Sequence, residues 1–228
     1  VITVSAPARE ELSERLNIDP SKIEVMVPLA VPAPRGNPSQ AKLEHVRRKY
    51  ALPEHFILMI GTVEPRHNHQ AVFAALADAA SPAGVVVCGR RTAWSDYLLG
   101  YARARRIAAR VDFIYELTPS DLPALFRLAR VFAYLPDADA EASVVPVVEA
   151  LRAGLPMVLS DTQVNREAAG EAAAYVRPEA RGEVLAALEN ALEDVSWRRT
   201  MQERERRRAE LFSEYAVAER LMQIYTSL

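Results

Sequence analysis

The chain has 228 residues and a net charge of -2, with 28 basic and 30 acidic residues interspersed, so no global field recruits nucleic acid or an anionic membrane. Half of the residues are hydrophobic, which excludes disorder and allows one to two domains of about 150 residues each. The single cysteine, Cys88, cannot form an intrachain disulfide, and no apolar run approaches the ~18 residues of a membrane span.

The first 35 residues give an extended run (VITVS), a helical stretch (AREELSERLNI) and a second extended run (IEVMVP). Pro28, Pro32, Pro34 and Pro38 follow, and a segment so rich in proline is neither regular helix nor central strand, so it reads as a linker or wrapping loop. From Phe56 an alternation begins. FILMIG is a buried-strand pattern ending in Gly61, helical periodicity runs from about Asn68 to Ala79, and the strand GVVVCG precedes a helix from about Ala93 to Ala108. Cys88, inside that strand, reads as a small buried hydrophobe. Then come VDFIY, a helix opened by Ser120 and Asp121 (SDLPALFRLAR), the strand VFAYL, a helix around PVVEALRAG, the strand PMVLSD, and AAAYVRP. Residues from Arg181 to Leu228 read as two or three helices with an arginine-rich face. Continuous apolar strands alternating with helices predict a Rossmann-like, doubly wound α/β domain with a parallel sheet covered on both faces.

Ligands of such sheets bind beyond the carboxyl ends of the strands. Three segments fall there: Gly61 to Asn68 (GTVEPRHN), Gly89 to Arg91, and Asp137 to Pro146. The last leads into a helix whose start, with Pro146 in its first turn, offers backbone N–H groups at Val144 and Val145 to an anion such as a diphosphate. Glu149 lies one turn further on, and an ionised carboxylate suits sugar hydroxyls because it only accepts hydrogen bonds. Glu141 stands eight positions before it.

These residues carry a resemblance. The E-x7-E pair Glu141 and Glu149, followed by ALRAGLPMVLSD and NREAAGEAAAYVRP, resembles the donor-binding half of family 4 retaining glycosyltransferases of the GT-B fold. ILMIGTVEPRHN is similar to that family's glycine-ended strand and basic, Asn-containing loop, in a form seen among mannosyltransferases of bacterial polysaccharide assembly. TPSDLPALFRLARVFAYLP and FSEYAVAERLMQIY resemble further family segments, and the first 31 residues resemble the last acceptor-domain strand and interdomain linker.

The resemblance implies retaining transfer of a sugar, GDP-mannose being the favoured donor, from a GDP- or UDP-linked nucleotide sugar to a glycan or lipid-linked acceptor in polysaccharide or lipopolysaccharide synthesis. It implies Glu141 and His67 as the catalytic groups, Glu141 toward the donor sugar and His67 toward the diphosphate. Donor binding would fall to Gly61, Thr62, Arg66, Arg90, Val144, Val145 and Glu149. The scheme needs no cofactor and no metal; Asp137 and Asp139 form a D-x-D string, but the surrounding pattern does not suit a metal motif. The division expected is residues 1–38 for the end of an acceptor domain and the linker, 39–195 for the donor-binding domain and 196–228 for C-terminal helices, with the rest of the acceptor domain missing from this chain. The location expected is the cytoplasm, or the inner face of the membrane by peripheral contact.

The chain departs from the family pattern where cations and glycines are usual: Thr62 replaces Arg, His67 replaces Lys, and Ala142-Ser143-Val144 replaces Gly-Phe-Gly. Arg66, Arg90 or Arg91 would have to supply the lost charge. Valine at 144 keeps amide donation only if its φ is negative. A degenerate, non-catalytic module that binds a nucleotide or a partner is therefore the alternative reading. Elsewhere, Glu167 reads as a cap or ion-pair partner, His45 and His55 as surface residues and His69 as part of a helix face. Arg198 to Arg208 reads as a solvated face with Glu partners, or less favourably as a contact to lipid headgroups.

Overall fold

The computed structural model describes residues 1–26, 38–137 and 144–226. A two-stranded parallel ribbon, β1 (Ile2–Thr3) and β2 (Glu24–Val25), brackets helix α1 (Ala6–Leu16). The Ser5 hydroxyl accepts from the Ala8 amide to start α1, and Asn17, at φ 52°, ends it in the left-handed region. Glu167 accepts from the Ala6 amide at 3.0 Å, a further N-terminal cap as expected for it. Of the proline-rich segment, only Pro38 falls within the described residues.

The body follows as α2 (Gln40–Lys49), β3 (Phe56–Ile60), α3 (His69–Asp78), β4 (Gly84–Cys88), α4 (Ala93–Ala104), β5 (Val111–Ile114), α5 (Leu122–Leu128) and β6 (Val131–Tyr134). It continues with α6 (Val145–Ala153), β7 (Met157–Ser160), α7 (Gln163–Ala169), β8 (Ala174–Val176), α8 (Arg181–Glu193), α9 (Val195–Ala209) and α10 (Glu214–Thr226). Strands β3 to β8 form one parallel sheet in the order β5-β4-β3-β6-β7-β8. Chain order reverses between β3 and β6, where Ile57 lies against Val131 and Leu58 against Phe132. Successive strand residues feed opposite faces. Phe56, Leu58, Phe132 and Tyr134 enter one core with α5, α6 and α7, whereas Ile57, Met59, Val131 and Ala133 enter another with α3, α4 and α8. The expected doubly wound α/β architecture is what the chain adopts.

Three local expectations are corrected, and one helix has no counterpart in the sequence reading. Helix α2 does not show in the hydrophobic pattern, because Val46 is its one buried residue. It is held instead by charge: Lys42, Lys49 (2.7 Å) and the Tyr50 hydroxyl (2.9 Å) all meet the Asp121 carboxylate, which is 1% exposed. Asp121 thus does not cap α5 with its side chain. Burial alone would raise its pKa, yet the hydrogen bonds from Lys42, Lys49 and Tyr50 prevail and hold it well below the usual carboxylate range. Helix α4 stops at Ala104 rather than near Ala108, since Arg106 turns to φ 60° and Ile107 folds back into the core, its amide bonded to the Ala102 carbonyl.

His69 opens α3, the helix on which it was expected; it is 2% exposed, and burial, with the neighbouring His67, lowers its pKa to about 4. The run from Arg198 to Arg208 is not a simple solvated face. Helix α9 packs on α6; Arg198 is 9% exposed, donating to the Ala191 and Leu192 carbonyls, and Arg208 donates to the carbonyls of Glu167 and Ala168. Glu205 is 0% exposed, neither carboxyl oxygen has a hydrogen-bond partner among the described residues, and burial raises its pKa to about 8.

Candidate functional site

Strand order reverses between β3 and β6, and in open parallel sheets such a reversal marks the ligand crevice on the carboxyl edge. Strand β3 ends in Gly61, at φ 144°, a backbone state that a side chain rarely tolerates. Its amide reaches across to the Cys88 carbonyl (3.0 Å), and the Val63 amide reaches the Arg90 carbonyl (3.1 Å), so the loops after β3 and β4 run side by side. Gly89 must be glycine for a different reason: a Cβ there would stand 1.8 Å from the Gly61 carbonyl oxygen. Cys88, just before it, is 5% exposed and burial pushes its thiol up to about 11, which leaves it a small apolar filler.

The β3 loop then folds into a single 3-10 turn, Pro65–His67, closed by Asn68 at φ 51°. His67 is 6% exposed; its ring covers Gly61, and Nδ1 lies 2.5 Å from the Thr62 carbonyl. A carbonyl only accepts, so Nδ1 carries the proton of that contact. The ring therefore braces the strand end. Arg66 is drawn to Glu64 at 2.7 Å and Arg90 approaches the same carboxylate at 4.0 Å. The Arg66 hydrogen bond is the main reason that the Glu64 pKa falls. Arg91, by contrast, is turned away to Asp96 (2.8 Å) and lies over the Tyr115 ring.

Asn68 joins the two sides of the crevice. Its carboxamide donates to the Leu135 carbonyl (2.9 Å) and to the Asp137 carboxylate (2.6 Å), while the Asp137 amide donates to the Arg66 carbonyl (2.9 Å). Across the crevice, Val144 precedes α6 at φ -99°, the negative sign that valine needs there, and its side chain is buried in the core. The first helical bond runs from the Val148 amide to the Val144 carbonyl, so the amides of Val144 and Val145 precede the helical ladder. Glu149 is half-buried on α6, one turn on. It accepts no hydrogen bond from the described residues, and burial raises its pKa to about 7 against the opposing charge of Arg152. Glu141, together with Asp139, Ala142 and Ser143, lies outside the described residues.

Of the residues singled out from sequence, Gly61, Thr62, Arg66, His67 and Arg90 share the β3 and β4 loops, and Val144, Val145 and Glu149 share the start of α6. Glu64, Asn68 and Asp137 belong to the same constellation and were missed. Glu64 carried one signal, its position two residues before Arg66 in a basic loop.

The family model described as "Glycosyl transferases group 1" matches residues 43–208. The O-antigen chain mannosyltransferase B of Escherichia coli is 28% identical over 219 residues, covering 93% of this chain and 56% of that protein. The chain thus spans about half the length of that curated relative. Among solved structures, a glycosyltransferase from Rickettsia africae superposes with a TM-score of 0.86 at 17% identity, over 100% of this chain and 62% of the other. The Anabaena HepE structure in complex with UDP and glucose gives 0.86 at 15% identity, over 100% and 63%. At these identities the two structures speak for the fold.

Proposed function

Because the chain belongs to the glycosyl transferases group 1 family, we propose that it is the nucleotide-sugar-binding half of a retaining glycosyltransferase that acts in bacterial polysaccharide synthesis. The donor sugar we favour is mannose, from the likeness to the O-antigen chain mannosyltransferase, and the nucleotide is GDP- or UDP-linked. The observation that carries this reading is Glu149: a half-buried carboxylate that accepts no hydrogen bond from the described residues, one helical turn behind the start of α6, on the same sheet edge as the loops that hold Arg66 and Arg90.

In this reading the ribose hydroxyls donate to Glu149. The diphosphate meets the Val144 amide at the positive end of α6. Negative charge grows on the diphosphate as the glycosidic bond breaks, so fixed donors and cations there stabilise the transition state more than the ground state. Arg66 and Arg90, gathered by Glu64, supply the charge that Thr62 and His67 do not. Glu141 faces the donor sugar, and no metal takes part. A glycan or lipid-linked acceptor is presented by an acceptor domain of the GT-B kind, which also orients it for attack. No helix among the described residues is long and apolar enough to cross a membrane, and any contact with the inner membrane face is peripheral in this proposal.

Calorimetric titration with GDP, UDP and their sugars tests the reading. One nucleotide should bind saturably, and Glu149→Ala should weaken it about 10- to 100-fold, the worth of hydrogen bonds to a charged acceptor. Absence of binding by every nucleotide would instead favour the non-catalytic module.

A further inference from the structure

At the opposite edge of the sheet, where β6 and β7 begin, a cavity of about 130 Å³ lies between the ends of α5 and α6 and the side of α9. Its polar lining is one-sided: Arg127, Arg130, Arg198 and Gln202, with no acid among the residues that face it. We propose that this cavity is a second ligand site, one that takes a small oxyanion of the phosphate class. It is separate from the crevice described above, and the inference does not rest on the nucleotide-sugar reading.

Capping of α8 explains only part of the cluster. Arg198 donates through Nη1 to the Ala191 and Leu192 carbonyls, and Arg130 reaches Leu192 through Nε at 3.4 Å, so two guanidiniums meet at the last turn of one helix. Each guanidinium has five N–H donors. The remaining donors of Arg130 and Arg198, and every donor of Arg127, have no acceptor among the described residues, and exposed Arg127 opens to solvent. Arg198 is also disfavoured as a cation, first by burial and then by the charge of Arg130. The acids in range of Arg198 do not quench the cavity: Glu193 and Asp194 are exposed, and Asp194 is occupied by Ser196 and the Trp197 amide.

An oxyanion between the three guanidiniums removes the repulsion and accepts from several planar forks at once, which is the geometry that arginine offers phosphate. Arg198, pinned by two carbonyls, is the fixed wall of the site. Arg130 and exposed Arg127 complete it from the end of α5.

The source of the phosphate, a soluble molecule or a lipid headgroup, is separated by two arms of one experiment. Thermal unfolding of the 228-residue chain is followed against sodium phosphate at constant ionic strength, and sedimentation is followed with vesicles containing phosphatidylglycerol. Arg127→Gln/Arg130→Gln removes the accessible cations and leaves the Arg198 cap in place; Arg127→Glu is a second variant at an exposed position, in case the double variant folds poorly. A soluble ligand class predicts a saturable rise in melting temperature, with apparent affinity weakened at least about tenfold in the variants. A lipid source predicts vesicle capture that phosphate competes away and the variants lose. Phosphate and vesicle responses that are unaltered in the variants, or absent from the wild type, would overturn the proposal.

Discussion

Replacing Glu205 by Met should stabilise the protein, and by an amount that grows with pH. The wild-type carboxyl is fully enclosed between helices, has no donor, and titrates near 8 in place of 4.5. An acid whose folded-state pKa is raised binds its proton more tightly in the folded state, so stability falls as pH rises from 4.5 and levels off above 8. Each unit of that interval is worth about 1.4 kcal/mol. The pH-dependent cost is therefore about 3 kcal/mol at pH 7 and about 5 kcal/mol at the plateau, large beside the roughly 5–15 kcal/mol that holds a domain together. Methionine keeps the length and the helix propensity and has no charge to bury. Urea unfolding at intervals from pH 5 to 9 measures both proteins, and the difference in free energy should climb across the range. A wild-type curve parallel to that of Glu205→Met throughout would refute the argument.

Gly89→Ala places a methyl against the Gly61 carbonyl oxygen and forces the two loops apart; the expected cost is about 3 kcal/mol, or roughly 6–12 °C in melting temperature, with weaker nucleotide binding. A variant that melts with the wild type would mean that the loops separate freely. Nucleotide affinity should increase from pH 6 to pH 8, because burial raises the Glu149 pKa to about 7 and the ionised carboxylate is the stronger acceptor, with no proton of its own to compete with the ribose hydroxyls. That trend must vanish in Glu149→Gln, and a slope retained there would assign it to another group.

The sheet was legible because its strands are short apolar runs such as FILMI and GVVVC, buried on both faces and separated by helical periods. The strand-ending Gly61 and the start of α6 at Val145 were legible for the same reason: both are local in sequence. What escaped depends on partners far along the chain. Helix α2 looks like polar linker until Asp121, over 70 residues away, is seen to gather its lysines. The arginine-rich helix looked solvated because composition says nothing about the Leu192 carbonyl that waits for Arg198. Glu64 is an ordinary loop acid until Arg90 arrives from the next strand.

The crevice itself owes nothing to the side chains that line it. Two neighbouring strands whose onward connections depart in opposite directions leave a gap by construction, and the carboxamide of Asn68 ties the loop after β3 to Leu135 and Asp137 at the end of β6. Exposed positions on its rim, such as Arg66 and Arg90, can therefore be exchanged to redirect ligand preference while the scaffold stays put. A lineage of such proteins could change cargo without ever moving the berth.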